Sequence, residues 1–386
     1  MAVGIIAEYN PFHAGHAYQI AEIKKFFPHD EIVILMSGNF TQRGEPAILN
    51  KFLRANLAVK NGADLVFELP FLSAVRSAQD FARGAIKIFE KLNVVDKLAF
   101  GAEISDLNLL KNIAKINLAD KIKSEMSKGI SYAAAAQNIL QINMLPNTIL
   151  AVEYLRALPE KIQPILIQRI GANYHDKTLQ KFSSASAIRA EIYKKNTDWI
   201  KISDSVNKNV FDALQAEKFS GLVREDFLFR PILSKIICTS TDEMQKIFGM
   251  DEGLENLIIK SANSAKSFQD FIAKIVNKRY SASRIKRLLL YFLLDVTSEK
   301  IFEIESVTYA RILAFNQRGQ SLLKIISKTS DIKIISKVAP YFKKNFQENF
   351  QKKLAFDVKA ANLYNVLFEK RKNFFDDFTH SPQKIL

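Results

Sequence analysis

Cysteine is almost absent: Cys238 is the only one in 386 residues. No intrachain disulfide can form, and no Cys-x-x-Cys pair is available to hold zinc. A single thiol fits a reducing compartment, so the expected location is the cytoplasm. Long apolar runs are also missing. The greasiest stretch, Leu288 to Leu294, is preceded by basic residues and falls short of the roughly 18 residues a membrane span needs, so no membrane partner is expected. The first residues, Met1 to Ile6, have no basic segment before them and run into Glu8, which reads as something other than a signal peptide. Neither Gly-x-x-x-x-Gly-Lys-Ser/Thr nor Gly-x-Gly-x-x-Gly occurs, which argues against a P-loop ATPase and an ordinary dinucleotide-binding oxidoreductase. The five histidines do not suggest a protein metal site: His29 and His380 are isolated, and His175-Asp176 is a single pair that reads as structural or substrate-side.

What is present is ordinary globular composition, 48% hydrophobic and 25% charged, with a formal net charge of +15. Such an excess marks a polyanion partner or a generally basic proteome. It is shared, with +6 in residues 1–195 and +9 in residues 196–386. The first half alternates short aliphatic runs (Ala2–Glu8, Glu31–Ser37, Asp64–Leu69, Lys97–Gly101, Ile162–Arg169) with amphipathic stretches (Ala17–Phe27, Lys51–Lys60, Ser73–Leu92, Asn147–Leu158). Strand–helix alternation predicts an α/β fold with a doubly wound parallel sheet. Residues 104–140 read as inserted helices, and the chain from about 196 onward reads as helical, Lys/Phe/Ile-rich and poor in Gly and Pro. Two domains are expected, residues 1–195 and 196–386.

The sharpest motif opens the chain: Tyr9-Asn10-Pro11-Phe12-His13-Ala14-Gly15-His16, after the first strand and before a helix. His-x-Gly-His in that position is the signature of nucleotidylyl transferases. A helix N-terminus presents free N–H groups and a positive dipole end to phosphate. Gly15 would let backbone approach a nucleotide, and the imidazoles of His13 and His16, the expected catalytic pair, would donate to the charge that builds as pyrophosphate leaves. A second block, Phe182-Ser183-Ser184-Ala185-Ser186-Ala187-Ile188-Arg189, starts a helix after the last strand. In the superfamily such a start grips the β- and γ-phosphates through hydroxyls and a guanidinium fork, here Ser186 and Arg189; alone it would read as a plain Ser cap with a solvated Arg.

Six separated blocks, in order, resemble the tRNA(Met) cytidine acetate ligases: Glu8 to His16, Ser37 to Pro46, Asn61 to Pro70, Phe100-Gly101-Ala102-Glu103, Pro146-Asn147, and Arg169 to Asp176. Arg279 to Ile285 is the best matching stretch of the second half. The resemblance implies a Rossmann-like nucleotidyltransferase sheet followed by an all-helical domain. It implies activation of acetate by ATP to acetyl-adenylate, then acetyl transfer to the exocyclic amine of the wobble cytidine of elongator tRNA(Met), giving N4-acetylcytidine. It carries the ATP site over to Ile6, Ala7, Glu8, Tyr9, Asn10, Pro11, Phe12, His13, Ala14, Gly15, His16, Ala17, Tyr18, Gln19, Gly101, Asn147, Arg169 and Ile170, beside Ser186 and Arg189. Mg²⁺ is expected on the phosphates of ATP and not in a protein cage. Many relatives read Pro-Asn-Asn where this chain has Thr148 after Asn147, so either position could face the nucleotide.

The residues themselves agree. Gly101 and Arg169 end strands at the carboxyl edge, where open α/β sheets bind ligands. The Gln42-Arg43-Gly44-Glu45-Pro46 loop offers a cation beside that edge or is a surface turn. Asp64 and Glu68 read as solvated or capping carboxylates. No Cys or Lys nucleophile stands out, which suggests direct transfer from the adenylate. The second half offers Lys278-Arg279-Tyr280, Arg284, Lys286-Arg287 and, further on, Lys343-Lys344, and Arg284 and Arg287 share a helix face. Arg279, Arg284 and Arg287 are the expected tRNA contacts, with Tyr280 beside them for base contact. The rival readings are a small-molecule adenylyltransferase, which would rarely carry so long a basic half, and a non-catalytic RNA-binding protein with a decayed nucleotide site. The oligomeric state and the strictness for acetate stay open.

Overall fold

The computed structural model describes residues 1–116, 125, 135, 137–139, 144–169, 183–250, 253–304, 306, 308–342, 348–370 and 372–386. Ile170, His175, Phe182, Lys343, Lys344 and most of the expected 104–140 insertion lie outside them.

Aliphatic runs of five to eight residues become the first five strands: β1 (Ala2–Ala7), β2 (Glu31–Ser37), β3 (Leu65–Leu69), β4 (Val95–Ala102) and β5 (Gln163–Gln168). They pair in parallel in the order β5-β4-β1-β2-β3. Period-2 alternation sorts their side chains onto two faces. Val33, Leu35, Leu65 and Phe67 join one apolar cluster, whereas Ile32, Ile34, Met36 and Val66 join another. The first cluster is covered by α3 (Ala78–Leu92) and α4 (Pro146–Ala157); the second by α1 (Ala14–Phe26), α2 (Lys51–Lys60) and α5 (Ala185–Ile192). In α3, Phe81, Ala85, Ile88 and Leu92 bury one stripe at helical spacing, and Ser77 caps its start by accepting from Asp80 N. Each fully buried Leu, Ile or Phe contributes about 1.5–3 kcal/mol. The expected Ser73–Leu92 helix is divided, because Ser77 starts a new cap after the short turn Phe71–Ala74. The sheet order reverses at β1, with β2 on one side and β4 on the other, so a crevice opens at their carboxyl ends.

The expectation of an all-helical second half needs correction. It is mostly helical, and residues 223–304 share an apolar cluster with 356–368 that includes α6 (Ala282–Leu294). Yet it also supplies β6 (Tyr309–Phe315), β7 (Lys333–Ile335) and β8 (Gln383–Lys384) to the same sheet, with β6 antiparallel to β3. Arg311 interrupts the aliphatic run of β6, and its pairing partner Glu68 lies far away in sequence.

That charge explains Glu68, which is neither solvated nor a cap. Lys51 Nζ lies 2.8 Å from Glu68 Oε1 and 2.9 Å from Asp377 Oδ2. Arg311 Nη1 lies 3.1 Å from Glu68 Oε2 and 2.7 Å from Asp377 Oδ2. All four side chains are buried. A Cβ at Gly38 would meet Glu68 Oε1 at 2.6 Å, so that glycine makes room for the buried carboxylate. Asp64 is buried as well, accepting from Ile32 N at 2.9 Å and Asn316 Nδ2 at 2.8 Å.

Candidate active site

β1 ends at Ala7, and the chain turns through Tyr9, whose φ of 48° lies in the left-handed region. Tyr9 and Phe12 are buried and carry His16 edge-on, with ring centroids 4.8 Å from Tyr9 and 5.5 Å from Phe12. His13 caps α1: its Nδ1 accepts from Gly15 N at 3.1 Å, while His16 Nδ1 accepts from His13 N at 3.2 Å. The helix therefore begins at Ala14, earlier than the expected Ala17. The two rings stack at 3.7 Å. With both Nδ1 atoms accepting, a neutral imidazole carries its proton on Nε2. Burial, then the charges of Arg169 and Arg189, push His13 down to about 3; burial, His13 and Arg169 likewise hold His16 well below its ordinary value. The pair are neutral donors at pH 7. A Cβ at Gly15 would meet His13 Cε1 at 3.0 Å, so Gly15 first makes room for the capping ring.

Arg54, fully buried in α2, donates to the carbonyls of Glu8, Ser37, Gly38 and Leu49, fixing the carboxyl ends of β1 and β2. Glu8 Oε1 accepts from Gln42 N at 2.6 Å, and burial raises its carboxyl above the ordinary value against the pull of that bond and of Arg43, Arg189 and Arg54. On the β4 side, a Cβ at Gly101 would meet Arg169 Cγ at 3.2 Å, so the glycine gives the arginine passage. Glu103 caps α4, accepting from Asn147 Nδ2 at 2.7 Å, Thr148 N at 2.6 Å and Thr148 Oγ1 at 2.9 Å. Burial alone would raise this carboxyl; those donors hold it below its ordinary value. Thr148 is fully buried, whereas Asn147 lines the cleft. At α5 the cap is Ser184, accepting from Ala187 N at 3.2 Å, with Ser186 hydrogen-bonded to it at 3.0 Å. Arg189 Nη1 donates to the Asn10 carbonyl at 2.6 Å and Nη2 lies 3.6 Å from Glu45 Oε2.

These parts surround one cleft of about 1090 Å³. Of the expected nucleotide residues, Ile6 to Asn10, His13, Gly15, His16, Tyr18, Gln19, Gly101, Asn147, Arg169, Ser186 and Arg189 line it. Pro11, Phe12, Ala14 and Ala17 do not. Arg279, Arg284 and Arg287 line the same cleft, so the basic stretch faces the histidines instead of forming a separate surface. Tyr280 is not a stacking platform: it is buried, with Arg279 and Arg284 over its ring at 5.3 and 4.9 Å.

Sequence reading missed how the 41–46 loop docks. A Cβ at Gly44, whose φ is 75°, would meet Arg287 N at 2.6 Å. Arg287 Nη1 donates to the Gln42 carbonyl at 3.2 Å. Lys286 Nζ lies 2.9 Å from Glu45 Oε1 and 2.8 Å from Glu225 Oε1. Burial would lower this lysine, but the two carboxylates hold it above its ordinary value. Arg76, Phe248 and Tyr291, also unforeseen, line the far end, where Arg76 sits 4.6 Å over the Phe248 ring. The one available signal was the glycine in Gln42 to Pro46, which a docking turn with positive φ requires.

A profile of the HIGH Nucleotidyl Transferase family matches residues 1–377. Curated relatives called tRNA(Met) cytidine acetate ligase include a Thermosipho melanesiensis protein, 38% identical over 96% of this chain and 95% of its own. Another, from Acetivibrio thermocellus, is 36% identical over 95% of each chain. This chain belongs to the tRNA(Met) cytidine acetate ligase family. Among solved structures, Thermotoga maritima TmcAL in its apo form I is similar at a TM-score of 0.90 and 31% identity, covering 100% of both chains. The same protein bound with alpha-thio ATP gives a TM-score of 0.87 at 29% identity. Family membership thus accompanies a mixed, mostly parallel α/β sheet of the nucleotidyltransferase kind. No helix among the described residues is long and apolar enough to cross a membrane.

Proposed function

We propose that this ligase activates acetate with ATP and acetylates the wobble cytidine of elongator tRNA(Met), making N4-acetylcytidine, in the cytoplasm. The carrying observation is that neutral imidazole donors and the cations of α6 line one cleft. In the first step an acetate oxygen attacks the α-phosphorus, and the bond to the β-phosphate oxygen breaks to release pyrophosphate. His13 and His16 donate through Nε2–H to the charge developing there, with their rings fixed by the reciprocal cap. Arg169 and Arg189 add positive charge at the lip, and Ser186 adds a hydroxyl. Gly101 and Asn147 bound the nucleotide side. The groups proposed to face the phosphates are N–H and O–H donors, a set that suits phosphate oxygens and not a bare cation; Mg²⁺ would arrive on those oxygens and neutralise them. In the second step the cytidine N4 attacks the acetyl carbonyl and AMP leaves.

Residues 1–195 supply the activation chemistry in this proposal, and residues 196–386 present the tRNA through Arg279, Arg284 and Arg287. Incubation with ATP, labelled acetate and total tRNA, followed by nucleoside analysis, tests it. Labelled N4-acetylcytidine in tRNA(Met), dependent on both ATP and acetate, is expected. Pyrophosphate release that ignores acetate, with unlabelled tRNA, would overturn it.

A further inference from the structure

Acylating an amine releases a proton, and the cleft must provide somewhere for it to go. The histidines are poor acceptors, because both Nδ1 atoms already accept from backbone N–H groups and the remaining ring nitrogens carry the protons. Among the described residues, the carboxylates lining the cleft are Glu8, Glu45 and Asp80. Glu45 is held between Lys286 at 2.9 Å and Arg189 at 3.6 Å. Asp80 lies 3.3 Å from Arg76 Nη2 and accepts from Ser77 Oγ at 2.9 Å. Glu8 differs. It stands where β1 ends, one turn before the histidines, and its Oε1 accepts from Gln42 N at 2.6 Å. Its other oxygen receives no hydrogen bond from the described residues. Arg54 fixes the Glu8 carbonyl and Gln42 fixes one carboxylate oxygen, so the carboxylate is oriented and not merely near.

We infer that Glu8 is the general base of the transfer step: its second oxygen accepts a hydrogen bond from the N4 amine of the cytidine and takes its proton. The inference rests on the acetyl-transfer reading above. As N4 bonds to the acetyl carbon, the bond from that carbon to the adenylate oxygen breaks. Its electron pair leaves on AMP, the N4 proton moves to Glu8, and Glu8 later returns it to water. A carboxylate is also the matching acceptor for the amino group that sets cytosine apart from uracil, which has a carbonyl at that position. Glu8 would therefore help select the base as well as deprotonate it.

The test separates the two half-reactions. Glu8→Gln keeps an oxygen for Gln42 N and nearly the same shape but cannot take a proton. Acetyl transfer from supplied acetyl-adenylate to unmodified tRNA(Met) should fall about 10²–10⁴-fold. Acetate-dependent pyrophosphate exchange should fall at least tenfold less than transfer does. Thermal melting and tRNA binding of the variant check that fold and docking survive, and Glu8→Asp, which keeps a carboxylate, should recover part of the transfer rate. Transfer from supplied acetyl-adenylate at the wild-type rate in Glu8→Gln would overturn the inference, as would equal losses in both half-reactions. Failure of the wild-type protein to acetylate tRNA(Met) at all would instead sink the functional reading.

Discussion

The two ends of the cleft are built on different scales. At the proposed nucleotide end, His13 and His16 exchange hydrogen bonds with backbone groups two or three residues away and stay neutral. At the α6 end, Lys286 pairs with the Glu45 carboxylate across 241 residues, and Arg287 donates to the Gln42 carbonyl across 245. Local geometry thus shapes the donors proposed for phosphate, and long-range contacts place the surface proposed for tRNA. The same contrast recurs in the sheet, whose first five strands sort apolar side chains onto both faces while β3 meets β6 through the buried Glu68–Arg311 pair.

The largest effect should come from that ionic junction. Lys51→Met would leave Glu68 and Asp377 sharing Arg311 alone in a buried site. Breaking a buried pair costs about 3–5 kcal/mol, because a charge is left without compensation. Denaturant unfolding should show a loss of that size, and adding Asp377→Leu should restore part of it. A single variant as stable as wild type would mean that the junction does not hold the sheet.

Next in size is the proposed nucleotide end. His16→Ala removes one fixed donor and should lower acetate-dependent pyrophosphate release about 10²–10³-fold in a folded protein. Near-normal release would remove His16 from the chemistry. Arg287→Ala probes the contrast directly, since the bond to the Gln42 carbonyl is charge-assisted and worth about 1.5–3 kcal/mol. Because this loop also holds Glu8 through Gln42 N, the variant should lose both pyrophosphate release and tRNA affinity. Loss of tRNA affinity alone would show that the two ends work independently.

A smaller effect concerns pH. His13 is lowered in the folded chain to about 3 by burial, then by Arg169 and Arg189. The unfolded histidine takes a proton below about 6.5, where the folded one does not, so this contribution to stability is full above that pH and fades as pH falls toward the folded value. His13→Asn can still accept from Gly15 N but cannot titrate. Between pH 7 and 5 wild type should therefore lose on the order of 1–2 kcal/mol more than the variant. Parallel stability curves would show that the ring is protonated in the fold.

How much could be read beforehand follows the same division. His13, Gly15 and His16 carried their meaning because a cap is written in adjacent residues. Gly101 and Arg169 were legible because strand ends are. Tyr280 misled, since an aromatic among arginines looks like a base platform until the helical core is seen to bury it. β6 was hidden because Arg311 breaks its apolar run and makes sense only beside Glu68 and Asp377. Arg54 gave no signal and Glu45 was read only as part of a loop, since their partners are backbone carbonyls and the distant Lys286 and Arg189.

The smallest expected effect would sharpen the contrast at the rim. Arg279 is exposed and Arg284 half-buried; both lie over Tyr280, and both line the cleft opposite the histidines. Neither is part of the Glu45–Lys286–Glu225 cluster that docks the 41–46 loop. Replacing both by Gln should therefore leave pyrophosphate exchange within about twofold, while tRNA affinity weakens. If each arginine neutralises one phosphate, each releases about one counterion on binding. The slope of log affinity against log salt should then flatten by roughly 0.9 for each residue, taking the value for B-DNA. Titrations of unmodified tRNA(Met) at several salt concentrations give that slope. An unchanged slope with weaker binding would mean that these guanidiniums stack or bond to bases and do not pair with the backbone. An unchanged affinity would move the tRNA surface away from this rim.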